Sequence, residues 1–349
     1  MALFSIQRVP GKGNGVIAAS KITKGTRIHA ESPFITLPKL DEAPNAKALN
    51  DAVLKQLRSA SRGDQRAFFS LGNIHGKTLP IPLGIVQTNA LAYGPGGEGG
   101  VFLMGSQFNH DCLPSARTKW NDHLHKMTVY ALRDIEPGEE ITITYINLET
   151  CDVRQKTLQD GFQFTCSCKA CTLPEDICKE MDADIMEIKT IEGFLKSTTE
   201  PLEVCLRFAY RQRYLIESNA LDFAHAPDTY ELASTLAAIH KDYIRAKIFS
   251  ERHLDIVTTE GGLDHPDTRK QRDMDDYLGS LLEQHHGPSV PYHFSVLGLE
   301  DWLWMQHLPE VKDLEEESSE DVESSDEARE VWSEDEDGDM PAFDVETLD

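Results

Sequence analysis

Over the first 150 residues apolar and polar positions alternate in short runs. Phe4-Ser5-Ile6, Val16-Ile17-Ala18-Ala19 and Arg27-Ile28-His29-Ala30 read as strands separated by turn residues, and Lys24-Gly25 is expected to close a hairpin. Gly11-Lys12-Gly13-Asn14-Gly15 between the first two runs reads as a loop able to fold over a ligand, because glycine permits positive φ and close backbone approach. From Asp41 to Leu71 the period changes: Ala48, Leu49, Ala52, Val53 and Leu57 sit near helical spacing and predict a helical insert packed on the β region. Pro80 to Gly100 is rich in Gly and Pro around Gln87-Thr88-Asn89-Ala90-Leu91, and its end, from Gly94 to Gly100, reads as a mobile loop. Alternation returns in Met127 to Leu132 and Ile141 to Tyr145, with Glu136-Pro137-Gly138-Glu139 between them as a type II turn, so the two runs are expected to form a hairpin.

After Cys171 the apolar period is helical. Leu202, Cys205, Leu206 and Ala209 fall at i, i+3, i+4, i+7, and Leu232, Leu236, Ile239 and Tyr243 at i, i+4, i+7, i+11. These spacings predict antiparallel helix pairs of tetratricopeptide-like character, without a clear 34-residue repeat. His225, His240, His253 and His285-His286 lack metal-ligand spacing and read as capping or surface residues.

Charge changes the reading of the C-terminus. Of the formal net charge of -25 on 349 residues, -17 lies between Glu310 and Asp349, where 19 acidic residues face only Lys312 and Arg329. That Ser-rich stretch has too little apolar content to offset ordering entropy and is expected to be disordered. Ser318, Ser324 and Ser333 each have an acidic residue three positions on, and Trp332 and Phe343 are candidate anchors of a short binding motif. Neither part of the chain has the basic surplus that neutralises phosphates, which argues against direct nucleic-acid binding and is compatible with a basic protein substrate. There is no signal-peptide-like apolar run at the N-terminus and no apolar stretch of about 18 residues, so a soluble intracellular protein, nuclear or cytoplasmic, without membrane contact is expected.

Seven cysteines, three of them in Cys166-x-Cys168-x2-Cys171, suit a metal site in a reducing compartment better than a disulfide framework. Cys151, Cys178 and Cys205 have no such spacing and read as buried or free thiols. A closed zinc site wants four ligands, so one must come from elsewhere. Cys112, within Phe108-Asn109-His110-Asp111-Cys112-Leu113-Pro114, is the best candidate because it belongs to the chain's other polar cluster.

The ordered combination of a Gly-x-Gly loop, Asn109-His110-x-Cys112-x-Pro114, Gly138-Glu139-Glu140-x4-Tyr145 and the cysteine triplet resembles the SET-domain protein lysine methyltransferases. Within them it is similar to the subfamily with a C-terminal helical region and, in some members, a MYND zinc finger. The insert carries no cysteine, so this chain resembles members without that finger, as in many fungal SET proteins. The resemblance implies an α+β architecture: a β-rich SET fold over 1–150 with its helical insert at about 41–88, a post-SET zinc segment over 151–175, a helical region over 176–309 and an acidic tail over 310–349. It implies that the segment around Asn109 to Cys112 threads beneath the loop carrying Tyr145 as a pseudoknot.

The same resemblance implies S-adenosylmethionine as methyl donor and a lysine side chain of a protein, histone or non-histone, as acceptor. Lys12, Asn14, Asn89, Asn109 and His110 match cofactor-binding positions, with the Asn109 side chain at the amino-acid end, and Phe164 matches an aromatic near the adenine. Tyr145 matches the catalytic tyrosine, Phe162 a substrate-channel position often held by Tyr, and Cys112, Cys166, Cys168 and Cys171 the zinc ligands. The helical region and the tail are the expected surfaces for protein partners. Three positions depart from the family pattern: Asp111 stands where Ser is usual, Ser115 where a second Asn is common, and Phe162 where a Tyr is frequent. They leave open a second reading, an inactive or weakly active scaffold that works through protein contacts.

Overall fold

The computed structural model describes residues 2–38, 45–94, 98–221, 228–286 and 296–306. The acidic stretch and His225 lie outside them. Strands β1 (Phe4–Val9) and β2 (Gly13–Ala18) form an antiparallel hairpin, Phe4 opposite Ala18 and Val9 opposite Gly13. The segment read as a ligand loop is therefore mostly strand: Gly13, Asn14 and Gly15 belong to β2, and only Pro10, Gly11 and Lys12 make the turn. The other edge of β2 pairs with β10 (Glu140–Ile143) antiparallel, and β10 pairs with β7 (Asn109–His110) in parallel, Thr142 opposite Asn109 and Ile143 opposite His110. The resulting order is β1-β2-β10-β7.

Two more sheets surround this one. The first has the order β3-β9-β8, from Arg27–Glu31, Lys126–Ala131 and Ala116–Asn121; the second, β4-β6-β5, comes from Ile35–Thr36, Glu98–Val101 and Ala90–Tyr93. Both hairpins expected from the turn residues are corrected. The turn at Glu136–Glu139 is present, with Gly138 at φ +85° and the Glu139 amide donating to the Glu136 carbonyl, but it joins β9 and β10 of different sheets. Likewise the turn at Lys24-Gly25 leads from β2 into β3, which pairs with β9. Turn chemistry reverses a chain locally, whereas pairing follows burial: Val16, Ile141 and Ile143 enter one core with Met127 and Val129 of the neighbouring sheet and with Ile22 and Ile135, which bridge each other outside the strands. The end of the glycine run is also corrected, since Glu98, Gly99 and Gly100 belong to β6, opposite Tyr93, Ala92 and Leu91 on one side, with Gly100 opposite Thr36 on the other; residues 95–97 lie outside the described residues.

The insert is helical, as α1 (Ala46–Ser59), α2 (Arg62–Phe69) and α3 (Ile81–Asn89). Leu49, Val53 and Leu57 of α1 are buried, and Val53 and Leu57 share a core with Phe68, Ile85 and Val86. After the sheets come α4 (Cys151–Phe162), α5 (Glu175–Ser197), α6 (Leu202–Ser218), α7 (Thr229–Ile239), α8 (Tyr243–Gly261), α9 (Pro266–His286) and α10 (Val296–Leu303). Leu202, Cys205, Leu206 and Ala209 all face the core of this region. The spacing of Leu232 to Tyr243 fails, because α7 ends at Ile239, which is 68% exposed, and Tyr243 begins α8. Lys241 at φ 62° and the Asp242 side chain, which accepts from the Arg245 amide, make a tight turn there. Leu236 is buried as expected, and Ala233 and Ala237 complete the buried face instead of Ile239 and Tyr243.

The helices clamp back onto the β8–β9 sheet. Glu260 accepts from Arg117 and lies 3.2 Å from Lys119 Nζ, Asp264 lies 2.7 Å from Arg27 Nη1, and His265 Nε2 meets the Trp120 carbonyl at 2.9 Å. Gly262, at φ +81°, is required there: a Cβ would stand 2.1 Å from the Tyr130 hydroxyl. His253, read as surface or capping, is buried and pairs with Asp228, the residue that caps α7. Among the described residues no helix is long and apolar enough to cross a membrane.

Candidate active site and cysteine cluster

The short parallel pairing of β7 with β10 gathers the site. Beyond β10 the chain runs to Tyr145, whose amide donates to His110 Nδ1 at 3.1 Å, while the Asp111 amide donates to the Ile143 carbonyl at 3.0 Å. The Tyr145 hydroxyl donates to the Phe108 carbonyl at 2.6 Å. The residue is thus held at both ends, amide and hydroxyl, by the segment 108–110, and it packs against both the sheet core and the helical core. Burial, followed by the nearby Glu140 carboxylate, pushes the Tyr145 phenol above its usual range, so it stays protonated at any physiological pH.

Phe162 lies with its ring centre 5.0 Å from that of Tyr145, and Phe164 lies 6.4 Å from Phe162 and 6.1 Å from His110. Phe162 ends α4, and Gln163 at φ 56° reverses the chain so that both phenylalanines return to the same cluster. Burial lowers His110 to about 4, against the opposing influence of Cys168 and Asp111, so the ring is neutral. With Nδ1 accepting from Tyr145, the ring proton belongs on Nε2, which faces Cys112 Sγ at 3.4 Å.

Asn109 lies opposite the β1–β2 turn. Its Nδ2 donates to the Asn14 carbonyl at 2.9 Å and to Glu140 Oε1 at 2.7 Å, and Glu140 Oε2 holds Lys12 Nζ at 2.9 Å. Lys12, Asn14, Asn109 and His110 are therefore brought together with Tyr145, Phe162 and Phe164. Asn89 is turned elsewhere: its side-chain amide donates to the carbonyls of Gly72 and Ile85, inside the insert. Only its backbone carbonyl reaches out, to Ser106 Oγ at 3.5 Å.

The three cysteines singled out by spacing and Cys112, chosen as the fourth ligand, meet in one place. The sulfurs of Cys112, Cys166, Cys168 and Cys171 all lie within 4.8 Å of one another, with Cys112 4.0 Å from Cys166 and 3.5 Å from Cys171. A tetrahedron with metal–sulfur bonds of about 2.3 Å has edges of about 3.8 Å, so the set can hold a metal ion. Hydrogen bonding with Cys112 draws Cys166 and Cys168 below the ordinary thiol range, and the same contacts push Cys112 above it. Gln155 fixes the segment by exchanging two hydrogen bonds with the Cys166 backbone, at 2.8 and 2.9 Å. Cys151, Cys178 and Cys205 are free thiols, Cys205 fully buried.

Four participants were missed at the level of sequence. Phe108 contributes a carbonyl, Gly15 a bare backbone, Glu140 a carboxylate, and Arg154 a guanidinium that is 5% exposed with Nη2 3.9 Å from Cys171 Sγ. Two of them carried a signal: Gly15 in the glycine run, where close backbone approach was expected, and Glu140 in the motif that leads to Tyr145.

Comparison with known proteins gives the same result. The SET domain family model matches residues 13–146. The chain is 35% identical over 267 residues to histone-lysine N-methyltransferase set5 of Schizosaccharomyces pombe, covering 75% of this chain and 80% of that protein. To protein-lysine N-trimethyltransferase SMYD5 of Homo sapiens it is 39% identical over 83 residues, 22% of this chain and 19% of that protein. Among solved structures, the SET domain of LSMT bound to lysine and AdoHcy aligns over 88% of this chain and 95% of that one, at 11% identity and a TM-score of 0.32, a likeness too weak to carry over any residue. With a parallel strand pair presenting Asn109-His110 to Tyr145 and a relative matched along most of its length, the chain belongs to the SET-domain family.

Proposed function

We propose that this protein is a lysine methyltransferase that transfers methyl groups from S-adenosylmethionine to lysine side chains of a basic protein. The observation that carries the reading is Tyr145, locked between the Phe108 carbonyl and the His110 ring with aromatic walls beside it. The name of the Schizosaccharomyces pombe relative, a histone-lysine N-methyltransferase, supports counting histones among the candidate substrates. When bound, the cofactor supplies a methyl group on a sulfonium, electrophilic enough to need no further activation.

The chain's own residues then have three tasks. Lys12, Asn14, Asn109 and His110 hold the cofactor, Lys12 and Asn109 at its amino-acid end, and Phe164 packs near the adenine. Tyr145 spends its proton on Phe108, which leaves its oxygen lone pairs to orient the amine and the polarised methyl C–H groups. It is no general base, because its raised pKa keeps it a phenol. Deprotonation of the lysine is favoured instead by desolvation between Tyr145 and Phe162, since burial disfavours an ammonium whose free pKa is about 10.4. Rate comes from positioning and from exclusion of water.

The cysteine cluster holds one structural zinc. Its fit rests on four sulfur donors at tetrahedral separations and on Arg154, whose buried positive charge offsets the net negative charge of four thiolates around a divalent ion. Two of the departures that favour a scaffold carry local structural duties. Asp111 Oδ1 accepts from the Leu113 amide at 2.8 Å, and Ser115 exchanges hydrogen bonds with Thr142, at 3.0 and 3.3 Å. The test is transfer of labelled methyl groups to basic proteins, compared with Tyr145→Phe. Transfer should fall roughly a hundredfold in the mutant. Unchanged transfer would remove Tyr145 from the mechanism, and a wild type that binds S-adenosylhomocysteine without transferring methyl groups would establish the scaffold.

A further inference from the structure

Resting on the cofactor reading above, we propose that Glu140 is a positioning residue: it fixes which end of the Asn109 amide meets the amino-acid portion of S-adenosylmethionine. One terminal atom of Asn109 lies 2.9 Å from the Asn14 carbonyl oxygen and 2.7 Å from Glu140 Oε1. A backbone carbonyl and a carboxylate both accept, so the atom between them is the amide nitrogen with both hydrogens engaged. Oδ1 is then the atom left to face a ligand, and it is an acceptor, as an α-ammonium group requires.

Each acceptor comes from a different strand, Asn14 from β2 and Glu140 from β10. With only the Asn14 carbonyl, one hydrogen bond instead of two holds the nitrogen inward, and the amide turns its nitrogen outward more readily. A donor would then oppose the donor of the ligand. The packing is built around this contact: a Cβ on Gly15 would stand 2.7 Å from Glu140 Oε1 and 2.9 Å from Asn109 Nδ2, so only glycine lets the carboxylate and the amide meet. The Glu140 side chain is 18% exposed, and its second oxygen is held by Lys12 Nζ at 2.9 Å, which fixes the carboxylate plane. The same carboxylate keeps Lys12 beside the site.

The test is calorimetry on the full chain with two ligands. S-adenosylhomocysteine carries the amino-acid end, and methylthioadenosine lacks it. Glu140→Ala should weaken S-adenosylhomocysteine about tenfold, the scale of one hydrogen bond to a charged group, and leave methylthioadenosine unchanged. In an Asn109→Ala background the same substitution should add no comparable loss, and this comparison also cancels any effect of releasing Lys12. Glu140→Gln, which keeps an acceptor oxygen, should recover most of the affinity. Equal losses for both ligands would mean a merely structural role and would overturn the proposal, as would additive losses in the double mutant. A wild type that fails to bind S-adenosylhomocysteine would instead sink the cofactor reading itself.

Discussion

Replacing Cys112 by Ser tests whether one side chain ties the metal site to the catalytic segment. Cys112 is buried and is the only member of the sulfur cluster outside residues 166–171, so its loss leaves three donors confined to one short segment. A bond through zinc between Cys112 and Cys166 closes a loop of 54 positions. By the chain-entropy expression for a cross-link of that length it is worth about 4 kcal/mol, an upper figure because the β7–β10 pairing already restrains part of the loop. The loss should appear as a shift in the denaturation midpoint, together with zinc content falling well below one ion per chain. Wild-type protein treated with a strong chelator should approach the mutant, and the mutant should respond little to the chelator. Affinity for S-adenosylhomocysteine should fall as well, since His110 Nε2 loses its sulfur partner while its Nδ1 holds the Tyr145 amide. Full zinc content with an unchanged midpoint would refute the assignment of Cys112. Lost zinc with unchanged cofactor affinity would refute the coupling alone.

Other outcomes follow from single contacts. Ser115→Ala leaves the buried Thr142 amide without its acceptor at 3.0 Å and should cost about 1–3 kcal/mol in urea unfolding; a cost under about 0.5 kcal/mol would mean the bond is replaced. Phe162→Tyr puts a hydroxyl into the aromatic wall beside Tyr145, where it can hold a partly methylated amine, so mass spectrometry should find the products shifted toward monomethyl-lysine. An unaltered product distribution would place Phe162 away from the acceptor amine. The rate of transfer should climb with pH toward the free lysine pKa of about 10.4, because the acceptor lysine loses its proton while Tyr145, raised above its ordinary range by burial and Glu140, keeps its own. A descending limb that starts below pH 9 would show that Tyr145 ionises and that its environment is wetter than described.

Local pattern was enough for the elements whose partners are close in sequence. The strand runs at Phe4–Ile6 and Val16–Ala18, the helical insert and the buried face of Leu202, Cys205, Leu206 and Ala209 could be read directly, because alternation and helical spacing record which side of an element is covered. The cysteine cluster was also legible, since a triplet with one ligand missing demands a fourth. Pairing was a different matter. The turn at Glu136–Glu139 has the right residues for a hairpin and still joins two sheets, and Glu98 to Gly100 looks like loop yet forms a strand between two others.

What the sequence alone determined was the inventory of chemical groups and their order: Asn109-His110, Cys112, Tyr145, Phe162, Phe164 and the triplet. Only the tertiary structure decided which atoms those groups present. It sets Tyr145 as donor to the Phe108 carbonyl, His110 as the link between the Tyr145 amide and Cys112, Asn109 with its nitrogen turned to Glu140, and Asn89 away from them in its own insert. The physical reason is that the direction of a hydrogen bond depends on partners brought from distant strands. Residues 31 and 95 positions apart meet at Asn109, and no periodicity along the chain records that meeting.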